Sequence, residues 1–310
     1  MKDRITNKKI NYSFELLRLI LCFWVVVQHC YRNASKKRRF HVPTFMIMSF
    51  YFYYNTLKTN DIIKIKQRFQ RLLIPYIIWG IFIFILNYIL LALFGFSLLK
   101  KKLVIKDLML QLIFGSRYHF IFYYQFNLIF LTILFNIISF LLKKHFIFIL
   151  QIFLIVAYIS QYSYWNFFFF RKYFYDIKYS VGSIFELLPF AVVGVILNYL
   201  NIILLLKEFK LKAIFFIGII IFLIFEFDIF VRINGFFYPG ILHNVGGICI
   251  FILFSLFSFQ NRGLKFLLIN ITKFTGGIYY IHTILFCFLS KIFIFIRNKT
   301  FLSSIVIYLI

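Results

Sequence analysis

The chain alternates between long apolar stretches and short polar clusters that are mostly basic. A bilayer core of about 30 Å requires roughly 20 apolar residues in a spanning helix. Cutting the chain at its polar clusters predicts spans at residues 13–31, 41–57, 72–99, 119–142, 146–165, 181–206, 213–231, 241–259 and 275–290. We therefore expect an all-α fold, a polytopic membrane helix bundle with about nine or ten transmembrane helices.

Three further segments are too short to cross a bilayer. Residues 64–73, 107–114 and 265–273 mix apolar and polar positions, which favours short helices lying in the membrane interface. The apolar residues after Lys299 amount to about half a span and predict a stunted tenth helix. No loop is long enough for a soluble second domain, so residues 1–310 are expected to form a single membrane-embedded domain.

Composition agrees with a membrane location. The 310 residues are 63% hydrophobic and 14% charged, whereas soluble domains are nearer half apolar and a quarter charged. The net charge of +26 would suggest nucleic acid binding in a soluble chain. Here the basic residues fall in short clusters between apolar runs and form no continuous face, so we expect no nucleic-acid partner.

Charge does not decide how the chain is oriented. Lysine and arginine normally concentrate in cytoplasmic loops, but the loops on the two sides of the predicted bundle carry equal numbers of them.

The cysteines show no paired C-x-x-C spacing and are interpreted as packing residues. They are Cys22, Cys30, Cys249 and Cys287. No metal site and no bound cofactor are predicted.

The first apolar stretch carries three ionisable residues, Glu15, Arg18 and His29. Such residues are costly within a membrane and by default indicate a functional interior. Arg18 and His29 are eleven residues apart, so they share one helix face at a separation of about 16 Å. Glu15 is placed for an i,i+3 ion pair with Arg18. The alternative is an arginine at the headgroup level and a histidine that caps the helix end.

Six short motifs follow one another along the chain. They are Asn11-Tyr-Ser-Phe-Glu-Leu-Leu-Arg-Leu-Ile with His29, His41-Val-Pro-Thr-Phe-Met-Ile-Met-Ser49, Arg68-Phe-Gln-Arg71 before Pro75-Tyr76, Tyr118-His119-Phe-Ile-Phe, Leu188-Pro-Phe-Ala-Val-Val-Gly194 and Gly277-Ile-Tyr-Tyr-Ile-His282. Together they resemble acyltransferase family 3, the integral membrane O-acyltransferases. The chain departs from the family at Phe50, where the family has Gly after the serine, and at Phe120 and Phe122, which flatten its His-Leu-Trp pattern.

The resemblance implies an activity. Members of this family take an acyl group, commonly acetyl, from acyl-CoA in the cytoplasm and transfer it to a hydroxyl of an extracytoplasmic glycan or another envelope molecule. It implies an enzyme of the cell membrane, surrounded by membrane lipids, with acetyl-CoA as donor substrate and a glycan or lipid-linked acceptor. It also implies a cytoplasmic N-terminus.

The resemblance also assigns roles to residues. His29 would be the catalytic histidine near the outer face, acting as a general base or carrying the acyl group transiently. Arg18 would order the donor or its path and would take no part in proton transfer, because an arginine does not give up its proton. Glu15 would neutralise the charge of Arg18. Arg68 and Arg71 would bind the coenzyme A phosphates, since guanidinium groups suit phosphate geometry. Ordinary headgroup anchoring is the alternative for this pair.

Four further residues are predicted to line the site. Ser49 could hydrogen-bond the reacting groups or a carbonyl of its own helix. His119, Tyr280 and His282 match family positions, and their alternative role is in hydrogen bonds between helices.

Two other functional classes remain open. A lipid-linked glycan polymerase or flippase is also polytopic and basic, but the longest predicted extracytoplasmic loop is short and no internal repeat indicates a transport cavity. A catalytically inactive family member with a structural role is the other alternative, because of Phe50 and the short C-terminal region.

Overall fold

The computed structural model describes residues 12–30, 41–94, 109, 112–113, 122–162, 175–233, 240–257 and 262–272. Within these ranges the chain is almost entirely helical and contains no strand. The helices are α1 (Tyr12–Cys30), α2 (His41–Thr59), α3 (Ile62–Phe94), α4 (Phe122–Leu141), α5 (Phe146–Tyr162), α6 (Tyr175–Tyr199), α7 (Ile202–Glu208), α8 (Lys210–Ile233), α9 (Gly240–Leu256) and α10 (Arg262–Thr272), with a short 3₁₀ turn at Lys143–His145. The predicted all-α fold is confirmed.

Two of the described helices are long and apolar enough to cross a membrane by themselves. They contain the segments Ile62–Ala92 and Phe122–Leu141. A third span results if the bent pair Leu187–Tyr199 and Ile202–Glu208 is counted as one. The predicted total of nine or ten spans stays a prediction, and the predicted span at 275–290 lies outside the described residues.

The prediction of an interfacial helix at residues 64–73 was wrong, because this segment is the beginning of α3. Asp61 caps the helix, its Oδ1 accepting a hydrogen bond of 3.1 Å from the Lys64 N–H. Pro75 lies inside α3 and does not end it. Near that proline the side chain of Gln125 on α4 donates a hydrogen bond to the Leu72 carbonyl. Contacts with a neighbouring helix can thus support the turn that a proline disturbs.

The prediction of one continuous span at 181–206 was also wrong. The helix stops at Tyr199, and Asn201 adopts a left-handed conformation with φ of 50°. The segments before and after this break are bent by 57°. Asparagine tolerates the left-handed region better than most residues, so the break lies where the sequence permits it.

Helix α2 lies at the centre of the main hydrophobic core, where it packs against α6, α9, α4 and α1. It approaches α6 closely at Gly194, where a Cβ atom would lie 2.4 Å from the Ile47 carbonyl oxygen. One turn later, Asn198 donates a hydrogen bond of 2.7 Å to the Tyr51 carbonyl of α2. A glycine is therefore required for these two backbones to touch.

Helix α3 lies at the periphery and packs mainly on α4. Large apolar side chains cover its outer face, a distribution that suits contact with lipid. They are Ile74, Ile77, Ile78, Ile81, Phe82, Ile85, Tyr88 and Ile89. The inner face carries the buried Tyr76, Ile83 and Leu90. Arg68 lies two helical turns before Tyr76, on this inner face.

Candidate functional site

The polar residues of α1 form the ion pair that the sequence predicts. Arg18 Nη1 lies 3.1 Å from Glu15 Oε2, and the two side chains remain 41% and 21% exposed. The positive charge of Arg18 is therefore balanced within its own helix. His29 lies near the C-terminal end of α1, and its side chain is outside the described residues.

Arg68 on α3 reaches two other helices. Its Nε donates a hydrogen bond of 3.1 Å to Thr132 Oγ1 on α4, and its Nη2 donates one of 2.9 Å to Ser49 Oγ on α2. Nε and Nη2 belong to the same edge of the planar guanidinium group, which we call the Nε edge. Two hydroxyl groups from different helices thus hold Arg68 along this edge.

Aromatic rings of α2 lie against the Arg68 guanidinium. Its central carbon, Cζ, is 4.0 Å from the centroid of the Tyr53 ring and 5.3 Å from that of Phe50. Both distances fall within the range of cation–π attraction. Phe50 is fully buried and its ring centroid lies 4.8 Å from that of Phe135 on α4. The residue that replaces the family's glycine is therefore a packing partner of Arg68.

A second layer of hydrogen bonds fixes the partners of Arg68. The Tyr53 hydroxyl donates to Asn136 Oδ1 at 3.0 Å, and Asn136 Nδ2 donates to the Thr132 carbonyl at 2.7 Å. The Thr132 hydroxyl donates to the Leu128 carbonyl at 2.6 Å, so its oxygen accepts from Arg68 while its proton is engaged elsewhere. We call Arg68, Ser49, Tyr53, Thr132 and Asn136 the Arg68 cluster.

The other edge of the Arg68 guanidinium differs from the Nε edge in its hydrogen bonding. A guanidinium has five N–H groups, and only the two on the Nε edge have acceptors among the described residues. In the same part of the chain no carboxylate lies within ion-pair distance of Arg68. The edge formed by Nη1 and Nη2, which we call the terminal edge, therefore carries a positive charge and donors suited to an anion.

Tyr124 on α4 links the two arginine regions. Its hydroxyl lies within electrostatic range of both Arg68 and Arg18. Its ring contacts Phe45 on α2 at a centroid distance of 6.2 Å. The fold therefore brings the charged face of α1 and the Arg68 cluster to one tyrosine, although α1 and α3 are separated by the whole of α2 along the chain.

Comparison with known protein families identifies the chain. Residues 11–310 match acyltransferase family 3, described as an acyltransferase domain. The chain belongs to acyltransferase family 3. It is thus a membrane protein of an acyltransferase family, as the motifs predict. No curated protein and no solved structure matched the chain.

The two arginines of the family-like Arg-x-x-Arg segment have different environments. Arg68 is turned inwards, whereas Arg71 is exposed. Three residues along a helix rotate the side chain by about 60° short of a full turn, which here is enough to move Arg71 off the inner face of α3. Within the described residues, no hydrogen bond or ion pair joins Arg71 to the Arg68 cluster.

Of the four other predicted lining residues, the structure describes Ser49 and not the remaining three. Ser49 accepts a hydrogen bond from Arg68, and within the described residues its hydroxyl forms none to a carbonyl of α2. His119, Tyr280 and His282 lie outside the described residues. Their predicted roles stay predictions.

Sequence reasoning missed Thr132, Tyr53, Asn136 and Tyr124. A signal for the first three exists, because polar residues four apart share a helix face. Ser49 and Tyr53 have this spacing on α2, and Thr132 and Asn136 have it on α4. Two such pairs in apolar spans indicate a polar contact between helices of this acyltransferase.

Proposed function

We propose that this family member transfers an acyl group, with acetyl as the expected group, from cytoplasmic acyl-CoA to a hydroxyl of an extracytoplasmic glycan or another envelope molecule. The observation that carries the proposal is the terminal edge of Arg68, a cationic donor pair without a carboxylate partner in the described part of an acyltransferase. Acyl-CoA brings several phosphate groups, and guanidinium groups bind phosphate through paired hydrogen bonds.

The proposed reaction divides the work between two regions. His29 takes the proton of the acceptor hydroxyl, whose oxygen then attacks the thioester carbonyl. The carbon–sulfur bond breaks, the ester forms, and the protonated imidazole returns the proton to the coenzyme A thiolate. A covalent acyl-histidine intermediate is the other route to the same products. Arg68 holds the donor in either case.

The proposal includes an orientation. With the N-terminus in the cytoplasm, α1 begins on the cytoplasmic side and His29 lies about 25 Å along it, towards the outer face. The connection between α2 and α3 then faces the cytoplasm, and Arg68 follows about 9 Å after the start of α3. This arrangement supports binding of the donor from inside and presentation of the acyl group towards an outer acceptor in a multi-pass protein of the plasma membrane.

Two variants test the proposal in cells. Replacing the gene with one that encodes the His29→Ala or the Arg68→Ala variant should remove O-acyl groups from one envelope glycan and leave its backbone sugars intact. Mass spectrometry of surface polysaccharide, lipopolysaccharide and peptidoglycan, before and after mild base, measures the ester content. His145→Ala is the matched control, because this histidine is exposed in the turn between α4 and α5.

The same measurement separates the alternatives. Unchanged ester content in every fraction of the His29→Ala strain would refute the acyltransferase proposal. Shortened glycan chains with unchanged esters would favour a polymerase. Loss of esters in the His145→Ala strain as well would point to reduced amounts of protein, which immunoblotting of the membranes measures.

A further inference from the structure

The residues around Arg68 extend the proposed function to side chains that the family motifs do not contain. An arginine on a peripheral helix has a long, flexible side chain, and holding it in one place costs rotamer entropy. Here contacts along one edge and against one face of the guanidinium offset this loss of entropy. Thr132 accepts from Nε at 3.1 Å, and the Tyr53 ring centroid lies 4.0 Å from Cζ.

We propose that Thr132 and Tyr53 are positioning residues, which hold Arg68 so that its terminal edge is presented to a phosphate group of the acyl donor. This inference rests on the proposed function, because it assumes a donor with phosphate groups. Neither residue is proposed to touch the donor. They act through Arg68.

The contact with Thr132 determines the in-plane direction of the guanidinium. A threonine hydroxyl can rotate, but the Thr132 proton is engaged by the Leu128 carbonyl at 2.6 Å. Its oxygen lone pairs are therefore left to accept from Nε–H of Arg68. Because Ser49 accepts from Nη2 on the same edge, the guanidinium cannot turn its terminal edge away without breaking both hydrogen bonds.

The contact with Tyr53 determines the tilt of the guanidinium plane. The tyrosine hydroxyl donates to Asn136 Oδ1, and Asn136 is in turn bound to the Thr132 carbonyl. The ring is therefore fixed at both ends, by its backbone on α2 and by its hydroxyl on α4. Thr132 and Tyr53 belong to one network, which explains how two helices can set the orientation of a side chain from a third.

Neutral partners are essential to this role. A carboxylate in the place of Thr132 would hold Arg68 as firmly, but it would cancel the charge that a phosphate needs. Hydroxyl oxygens and aromatic faces lower the cost of placing the guanidinium inside the protein and leave its net charge in place. The composition of the cluster therefore favours a binding role over simple charge burial.

Binding measurements on the purified full-length protein in lipid nanodiscs test this inference. The probes are coenzyme A and pantetheine, which shares the thiol arm of coenzyme A but has no phosphate. Thr132→Val keeps the shape of the side chain and removes the acceptor, and should weaken coenzyme A binding by about 10-fold or more, the loss expected for one hydrogen bond to a charged group. Pantetheine binding should not change.

Two controls accompany this variant. Thr132→Ser restores the acceptor and should bind coenzyme A within about 2-fold of the unchanged protein. Thr272→Val removes the same kind of group, because Thr272 is buried and donates to the Leu268 carbonyl four residues earlier, as Thr132 does to Leu128. It should leave coenzyme A binding unchanged while lowering the melting temperature to a similar extent.

Tyr53→Phe provides a second test if Thr132→Val does not fold. It keeps the ring beneath Arg68 and removes the hydroxyl that binds Asn136, so coenzyme A binding should weaken by about 2- to 3-fold. Coenzyme A affinity equal to that of the unchanged protein in either folded variant would overturn the positioning role. An equal loss of pantetheine binding would also overturn it, since that loss indicates general distortion.

The measurement separates this inference from the function on which it rests. If the unchanged protein binds coenzyme A and Thr132→Val binds it equally well, only the positioning role fails. If the unchanged protein does not bind coenzyme A, the donor in the proposed function is wrong, and the positioning role fails with it.

Discussion

Arg18 on α1 and Arg68 on α3 both lie in apolar helices, yet their partners differ in charge. Arg18 pairs with Glu15 one turn away, and both side chains keep part of their exposure. Arg68 is held by the neutral hydroxyls of Ser49 and Thr132 and by the ring of Tyr53. In the first arrangement a carboxylate neutralises the arginine. In the second the guanidinium keeps its net charge and is held in one orientation.

The difference has a functional meaning. An arginine that is neutralised within its own helix can shape a polar path without attracting an anion strongly. An arginine that is fixed by neutral groups keeps its attraction for an anion and loses little further entropy on binding. We therefore expect donor binding to depend more on the Arg68 cluster than on the ion pair of α1.

Removal of the Arg68 guanidinium is the strongest test of this comparison. Arg68→Ala should lower the rate of acyl transfer at low donor concentration by about 100-fold, equivalent to ~2.7 kcal/mol. Arg68→Lys should recover little of it, because an ammonium group cannot use one edge for Thr132 and another for a phosphate. Arg71→Ala should cost less than about 3-fold, since Arg71 is exposed. Transfer assays on membranes with matched protein amounts measure all three, and equal losses at Arg68 and Arg71 would contradict the distinction.

Disturbing the contact between α2 and α6 should damage the Arg68 cluster through its scaffold. In Gly194→Ala the new methyl group would lie 2.4 Å from the Ile47 carbonyl oxygen, so the helices must separate. We expect a loss of about 2 kcal/mol in unfolding free energy, measured as a lower melting temperature in detergent. Gly218→Ala on α8 is the matched control, because a Cβ there meets nothing within 4 Å. A similar loss in both variants would contradict the close approach.

Removing the carboxylate of Glu15 should leave Arg18, like Arg68, without a negatively charged partner among the described residues. Glu15→Gln leaves a hydrogen-bond acceptor beside Arg18 but removes the negative charge. Because the pair is partly exposed, we expect a change of about 5-fold or less in the transfer rate. The measurement is the transfer rate against donor concentration. A loss as large as that of Arg68→Ala would show that the ion pair is as important as the Arg68 cluster.

The cap of α3 gives the smallest expected effect and a dependence on pH. The hydrogen bonds and the charge of Lys64 lower the pKa of the partly exposed Asp61 carboxyl. A lowered pKa means that the ionised form stabilises the folded state above the unfolded pKa of about 4, and that this contribution is lost as the pH falls through the lower, folded-state pKa. Asp61→Asn should therefore lower the melting temperature slightly at pH 7, and this difference should shrink as the pH is lowered to 2. An equal difference at both pH values would contradict the assignment.

The sequence could predict features that depend on neighbouring residues of one helix. Periodic apolar stretches indicated the helices, and the spacing of Glu15 and Arg18 indicated their ion pair. The start of α3 and the break at Asn201 were harder to predict. A basic segment can either lie in the interface or extend a span, and one residue in the left-handed region bends a stretch whose composition remains apolar throughout.

The family and the ion pair of α1 were thus determined by sequence alone, because short motifs and helix geometry act over a few residues. Only the tertiary structure decided that Arg68 turns inwards while Arg71 remains exposed, and that Thr132 and Tyr53 hold Arg68. Those contacts join residues from three helices that lie up to 64 positions apart along the chain. Which helices become neighbours depends on packing over the whole bundle, including the close approach that Gly194 permits.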